Sequence, residues 1–446
     1  RRLTIPSASP HQPATAPAYP CPKGPRMGFR GEAFVFDSPG AAVAVMIERL
    51  GLSLSGRQPE PCPLDHARGR LLAQAARADR DSPPFDHAAM DGYAMRAADI
   101  QAEVTLPVAA ESRIGNAPPV LPPHPSAVRI ATGAPIPNGA DAVVKREDVI
   151  EHEEAGAVTA ITLRARASAP VRAGDHIRRA AENVRAGSEI VPACTVLNPA
   201  TLAALAAIGI TMPLVLPRLR VAIITTGDEL VPPEARPGPF QIRNSNAAAL
   251  RAILASYPWI GVVKSVHTRD DGSDAARALA DAVTVADAVI LSGGVSMGHR
   301  DPVRHAVEQA GAEIVFHGLP QRPGKPMLGA IARRTGRPGI PVFALPGNPV
   351  SAMVTCARIA VPVLSACAGA ARPSGTASVS VSNPDAKVLD LWWHRLVRFN
   401  ADRTAELIDA RSSGDLIAAA RSDGFIEVPP GEAVGAGPFA FFPWAP

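Results

Sequence analysis

Glycine pairs and carboxylates recur where apolar runs end in the second half of the chain. The sharpest case is ILSGGVSMG, Ile290 to Gly298. Asp287-Ala288-Val289-Ile290-Leu291 closes on Ser292-Gly293-Gly294, and Ser296-Met297-Gly298 follows. Such a run ending on two glycines predicts a parallel strand feeding a phosphate-binding loop. Gly293 and Gly294 let the backbone approach an anion closely, with N–H groups turned inward. Asp301 heads a helix predicted to run to about Ala310, where a carboxylate beside bound phosphates would hold magnesium. The loop is neither the Walker pattern nor GxGxxG, and chain reversal alone explains a Gly-Gly turn. Its weight comes from the neighbouring turns. Thr226-Gly227-Asp228-Glu229 closes the run Arg220 to Ile224, and Asp270-Asp271 follows Val262 to His267. Pro346-Gly347-Asn348-Pro349-Val350-Ser351 closes Pro341 to Leu345. Arg322 and Lys325 add cations. Acidic turns, glycines and a lysine on one edge suit a nucleotide or diphosphate with Mg²⁺.

Strands and helices must alternate to put those turns on one edge. Helices are predicted at Asn244 to Ala255, Ser273 to Val283 and Pro302 to Ala310, between strands that include Ala288 to Leu291 and Glu313 to Phe316. This pattern predicts a parallel α/β sheet, whose ligands bind at the carboxyl ends of its strands. Upstream, Ser38 to Leu71 reads as helical, and Leu64 to Ala76 repeats the helical spacing. Asp81-Ser82-Pro83-Pro84 breaks it. In HAAMDGYAM, Asp91-Gly92 reads as a turn into a strand, or as a carboxylate exposed beside an aromatic ring. Residues 100 to 185 alternate short apolar runs with Gly and Pro, predicting a small barrel or sheet. Within them Thr132-Gly133 offers a hydroxyl and an N–H to an oxyanion, although turn chemistry explains the same pair. Asn198 to Ile208 is a predicted helix with Asn198 as N-cap and Pro199 in its first turn. Residues 371 to 446 read as a separate β unit.

A chain of 446 residues predicts three or four domains. Its net charge of +4, with both signs interspersed, suits an anionic small molecule. No basic stripe is interleaved with aromatics, which argues against nucleic acid. The five cysteines are scattered without a CxxC pair, as expected in a reducing cytoplasm without a zinc site. No uninterrupted apolar run of about 18 residues is evident, so no membrane span is expected. Residues 1–36 read as a disordered extension, and Met27 as a plausible start.

The motifs PPFDHAAMDGYAM, ATGAPIPNGADAVV, GDHIRRAAENV, TTGDEL, RDD, LSGGVSMG, PGKPM and LPGNPVSA occur in this order. Together they resemble the molybdopterin molybdenumtransferases, of the MoeA and gephyrin E-domain type. The resemblance runs from about Ser38 to the C-terminus. It implies a multidomain α/β protein. An elongated helical dimerisation region would comprise residues 37–78 and 187–217, and an inserted β domain residues 79–186. An adenylyltransferase-like α/β domain at 218–369 would bind molybdopterin, and a β-barrel-like domain would follow at 370–446. It implies a cytoplasmic homodimer that takes adenylated molybdopterin and molybdate to molybdenum cofactor and AMP with Mg²⁺. The upstream adenylyltransferase and acceptor molybdoenzymes are the implied protein partners. Catalytic roles would fall to Asp91, Glu229, Asp271 and Asp301, the last three also as metal ligands. Substrate contacts would fall to Thr132, Asp228, Asp270, Ser292, Gly293, Gly294, Ser296, Arg322, Lys325, Pro346, Asn348, Pro349 and Ser351. Asp91 and Thr132 would approach from the partner subunit. The sequence departs from the family at Asn183, where a carboxylate is usual, at Arg322 for Lys, and at Pro302 for an aromatic. These departures support an alternative, a non-enzymatic or weakly active paralogue that carries the cofactor or its precursor.

Overall fold

The computed structural model describes residues 34–52, 57–100, 104–164, 171–295, 302–334, 337–370 and 377–445. The N-terminal stretch through residue 33, Ser296 and Asp301 lie outside them. Phe34 and Phe36 are buried, so the extension expected through residue 36 is already part of the fold by Phe34.

The first helix, α1 (Pro39–Leu50), starts at Ser38, whose hydroxyl accepts the Ala41 N–H, and stops at Gly51 in a left-handed conformation. These are a standard N-cap and a glycine C-cap. The helix expected over Leu64 to Ala76 does not form. That stretch holds one short 3₁₀ turn, Leu64–His66, and then pairs in bridges with the return segment: Leu71 with Val196 and Leu72 with Val215. Cys62, Ala67, Leu72 and Ala76 pack against Val191, Leu197, Leu205 and Val215, which lie more than 100 positions away. Cross-chain pairing outweighed the local helical spacing. The return segment does contain the predicted helix, α2 (Pro199–Ala207), with a full capping box between Asn198 and Thr201.

Between these segments lies a six-stranded sheet of β1 (Gly92–Met95), β2 (Thr105–Ser112), β3 (Ala127–Ile130), β4 (Ala142–Lys145), β5 (Val149–Glu154) and β6 (Ala157–Leu163). Its order is β4-β1-β3-β2-β6-β5.

The second sheet contains β7 (Leu219–Thr226), β8 (Ile260–Thr268), β9 (Ala288–Ser292), β10 (Ala312–His317), β11 (Leu328–Arg334) and β12 (Arg337–Leu345), in the order β8-β7-β9-β12-β11-β10. The helices α3 (Ser245–Ala255), α4 (Gly272–Val285) and α5 (Pro302–Gln309) alternate with these strands. Strands β8, β7, β9 and β12 are mutually parallel, but β11 runs antiparallel to both neighbours. The sheet is therefore mixed, where alternation alone predicted parallel. The β11–β12 pair is a hairpin, and a hairpin needs no crossover helix to announce it. Both faces are covered. Val221, Ile223 and Ile290 pack against α1 and α3, and Ala222, Ile224 and Val289 against α4 and α5. Each fully buried aliphatic chain contributes about 1.5–3 kcal/mol.

The helical run Pro349–Ala368 is long and apolar enough to cross a membrane, with mean hydropathy 1.7. It is the longest apolar stretch of the described chain to form one helix, and 72% of it is buried inside the protein. It comprises α6 (Pro349–Thr355), a π turn at Cys356–Ala360 and α7 (Val361–Ala368). One side packs with α1 and the sheet core, and Val350 and Val354 pack with Leu396 and Phe425 of a third sheet. That sheet joins β13 (Trp392–Phe399), β14 (Gly424–Val428) and β15 (Phe439–Pro443) to shorter strands in an open order, and Gln321–Arg322 pairs onto its edge.

Candidate functional site

Because β7, β8, β9 and β12 are parallel, their carboxyl ends deliver four turns to one edge. Thr226 to Glu229, Thr268 to Asp271, Ser292 to Gly294 and Pro346 to Asn348 meet there. Local sequence explains each turn. Gly293 has φ +105°, and a Cβ on it would run into the Thr226 carbonyl and hydroxyl. Only glycine lets the β9 and β7 turns come this close. The Gly293 N–H donates to the Leu345 carbonyl at 3.3 Å, joining the β9 and β12 turns. The Asp270 N–H donates to Asp228 Oδ1 at 3.3 Å, which joins the two acidic turns.

Several expected residues take specific places. Asp271 Oδ1 accepts the Ser273 N–H at 2.9 Å and N-caps α4. The Ser273 N–H and hydroxyl hold its carboxyl below the ordinary aspartate range. Asp228, Glu229 and Asp270 are exposed at the same edge. Pro349 opens α6 at its first position. Asn348 donates from Nδ2 to Ser413 Oγ at 2.9 Å, so its amide is committed to the third sheet's loop. Ser351 is only 3% exposed, which removes it from the accessible edge where an oxyanion contact was expected. The turn after β10, also on this edge, carries Arg322 and Lys325. Arg322 is exposed on the strand that joins the third sheet, and Lys325 Nζ lies 5.7 Å from the centre of the Phe34 ring.

Asp91 and Thr132 come together, but on the first sheet. Asp91 Oδ1 accepts both the Thr132 N–H and the Thr132 hydroxyl at 2.7 Å. Those two bonds, backbone first, hold the exposed Asp91 carboxyl below its ordinary range. Gly92 follows because a Cβ there would strike the Val144 carbonyl. Nearby, Asp86 is buried enough to oppose its charge. The Ala180 N–H and Arg179 guanidinium nevertheless hold it ionised, at 2.8 and 2.6 Å. Asn183 is exposed, its N–H donating to the Ser82 carbonyl at 2.9 Å. No hydrogen bond or ion pair between described residues connects the Asp91–Thr132 pair to the α/β edge.

The sequence reading missed Asn244 and Asn246. Asn244 Nδ2 donates to Thr225 Oγ1 at 2.7 Å, and Asn246 Nδ2 reaches both Ser292 Oγ and the Gly347 carbonyl. The available signal was the run Arg243-Asn244-Ser245-Asn246 at the start of a predicted helix. Thr226 Oγ1, Thr268 Oγ1 and Asn246 Oδ1 are buried and have no partner among the described residues. Unpartnered buried polar atoms are uncommon, and three gather at this edge. Among the described residues, no three His, Cys, Asp or Glu side chains form a metal-binding group. The edge offers pairs of hard carboxylate oxygens, the donor type that magnesium shares with substrate phosphates.

Comparison with known proteins matches this arrangement to one family. A family model described as "MoeA N-terminal region (domain I and II)" matches residues 39–209, and "Probable molybdopterin binding domain" matches residues 222–366. The molybdopterin molybdenumtransferase of Synechococcus elongatus is 38% identical over 320 residues, covering 69% of this chain and 75% of that one. That of Nostoc sp. is 34% identical, covering 82% and 84%. The crystal structure of a molybdopterin biosynthesis MoeA protein from Pyrococcus horikoshii superposes with TM-score 0.74 at 26% identity, covering 91% of this chain and 98% of that one.

Proposed function

Since this chain belongs to the molybdopterin molybdenumtransferases, enzymes of molybdenum cofactor biosynthesis, we propose that it inserts molybdenum from molybdate into adenylated molybdopterin and releases AMP. The observation that carries the proposal is the convergence of acidic turns and glycine turns on one sheet edge. In this reading the Gly294 N–H donates to a phosphate oxygen, and Gly293, whose own N–H is held by the Leu345 carbonyl, lets the phosphate approach the backbone closely. Arg322 and Lys325 offset the charge of molybdate, a dianion. Pro346 shapes the wall next to the Ser292 turn. Asp228 and Asp270, held together by one hydrogen bond, line the nucleotide side.

Glu229 and Asp271 would hold magnesium, which would offset diphosphate charge. Asp271 caps α4 at the end of β8, and Glu229 is exposed in the turn that closes the neighbouring strand β7. Asp301 and Ser296 complete the proposed set from outside the described residues. Asp91 belongs to the proposal as a carboxylate kept ionised by Thr132. In the homodimer of this reading it would reach the α/β edge of the partner subunit. The remaining domain assignments and a cytoplasmic location belong to the same reading. The upstream adenylyltransferase and acceptor molybdoenzymes would be its protein partners.

The test is AMP release from purified protein given adenylated molybdopterin and Mg²⁺, with and without molybdate. Molybdate-dependent release that EDTA abolishes is expected. Tight binding without release would overturn the proposal in favour of a carrier.

A further inference from the structure

We propose that Asn246 is a positioning residue for substrate binding: it clamps the two glycine turns of the site at the spacing that takes the pterin substrate's phosphate. The inference rests on the proposed function for the identity of the ligand and on geometry for the clamp itself.

Asn246 lies in the first turn of α3 and is 8% exposed. Its Nδ2 donates to Ser292 Oγ at 2.9 Å and to the Gly347 carbonyl at 2.8 Å. The amide orientation follows from chemistry. A carbonyl only accepts, so the group facing Gly347 must be the NH₂. Ser292 Oγ then donates onward to the Pro346 carbonyl at 3.3 Å. One side chain thus links the turn after β9 to the turn after β12 from a third element. Both Nδ2 hydrogens are used, and among the described residues no other side chain from outside the two turns bonds to both. The turns nearly touch, since a Cβ on Gly347 would lie 3.6 Å from the Gly293 Cα. A small slip between them would therefore move the Gly293 and Gly294 N–H groups directly. Asn244 performs a separate task two residues earlier. It caps α3 with Oδ1 and holds Thr225 with Nδ2, so the start of the helix is fixed independently of Asn246.

The substitutions Asn246→Asp and Asn246→Ala test this. Asp keeps the shape, but its ionised form cannot donate. Burial raises a carboxyl's pKa, so lowering the pH restores one donor. At pH 8, Asn246→Asp is expected to raise KM for adenylated molybdopterin roughly 10- to 100-fold with little change in kcat, the scale of a misplaced binding group. The ratio of mutant to wild-type KM should fall as the pH is lowered toward 5. Asn246→Ala should show the same KM defect without that recovery. A double-mutant cycle with Ser292→Ala should show coupling, because both variants remove the same Asn246–Ser292 bond.

Direct binding of non-adenylated molybdopterin separates failure of the clamp from failure of the proposed reaction. If wild-type protein releases no AMP, the reaction fails, yet Asn246→Asp should still bind molybdopterin more weakly than wild type. Wild-type affinity and KM in both Asn246 variants would overturn the clamp. So would a defect in Asn246→Asp that does not respond to pH. If neither Asn246 variant folds, Ser292→Ala alone decides. Unchanged molybdopterin affinity in Ser292→Ala would then overturn the clamp. Weaker affinity would support it, because Ser292 is only 1% exposed, against the direct substrate contact expected of it, and acts through the turns.

Discussion

At the scale of single residues, position within a turn decides what a carboxylate can do. Asp271 illustrates a double duty. It caps α4 through the Ser273 N–H and stands at the acidic edge. Asn also caps helices well, whereas Ala does not. Asp271→Asn is therefore expected to keep the wild-type melting temperature and lose most AMP release. Asp271→Ala should lose both, measurably lowering the melting temperature in a thermal scan. Full activity in Asp271→Asn would reduce this residue to a cap. Asp91 was legible as a carboxylate beside an aromatic residue, but its bonds to Thr132 were not. Those two residues are 41 positions apart, and only the antiparallel pairing of β1 with β3 brings their loops together.

At the scale of elements, the site depends on how closely adjacent strand ends approach. Gly293 combines φ +105° with contact against Thr226. A side chain there must pay for a left-handed backbone and displace the neighbouring turn, about 1–3 kcal/mol for the backbone alone. Gly293→Ala should lower the urea midpoint and abolish substrate binding. Gly431→Ala is the control, because Gly431 also has positive φ (+76°) but open space where a side chain would sit. It should lose stability without losing binding. Equal binding in the two variants would remove the Gly293 turn from the site. The sequence showed this turn because a buried strand ending in two glycines has a local signature. It did not show the helix missing at Leu64 to Ala76, where long-range bridges displaced a favourable local pattern. Nor did it show β11, whose antiparallel pairing depends on partners rather than on its own residues.

At the scale of the whole molecule, one buried ionic cluster joins the α/β unit to the third sheet. Arg358, in the π turn, pairs with Glu427 of β14 through bonds of 2.6 and 3.0 Å, and His394 of β13 reaches the same carboxylate at 3.1 Å. Burial opposes the Glu427 charge, but His394 and Arg358 outweigh it and hold the carboxyl at about 2. A depressed acid stabilises the fold fully above its unfolded value, near 4.5, and loses that contribution as the pH falls toward about 2. Glu427→Gln leaves Arg358 buried without its counter-ion and should cost about 3–5 kcal/mol at pH 7. The difference from wild type should shrink as the pH is lowered from 4.5 to 2, read by denaturant unfolding at each pH. A constant difference across that window would assign the loss to packing instead. By itself the sequence determined the apolar strands, the cap at Asn198, and the glycine and acidic turns. Each of these depends on residues a few positions apart, so local sterics and hydrogen bonding suffice. Only the tertiary structure decided that Asn246 ties Ser292 to Gly347, that Ser351 is buried, and that Arg358 meets Glu427. Those contacts join residues 46, 101 and 69 positions apart or arise from burial, and only packing brings their partners together.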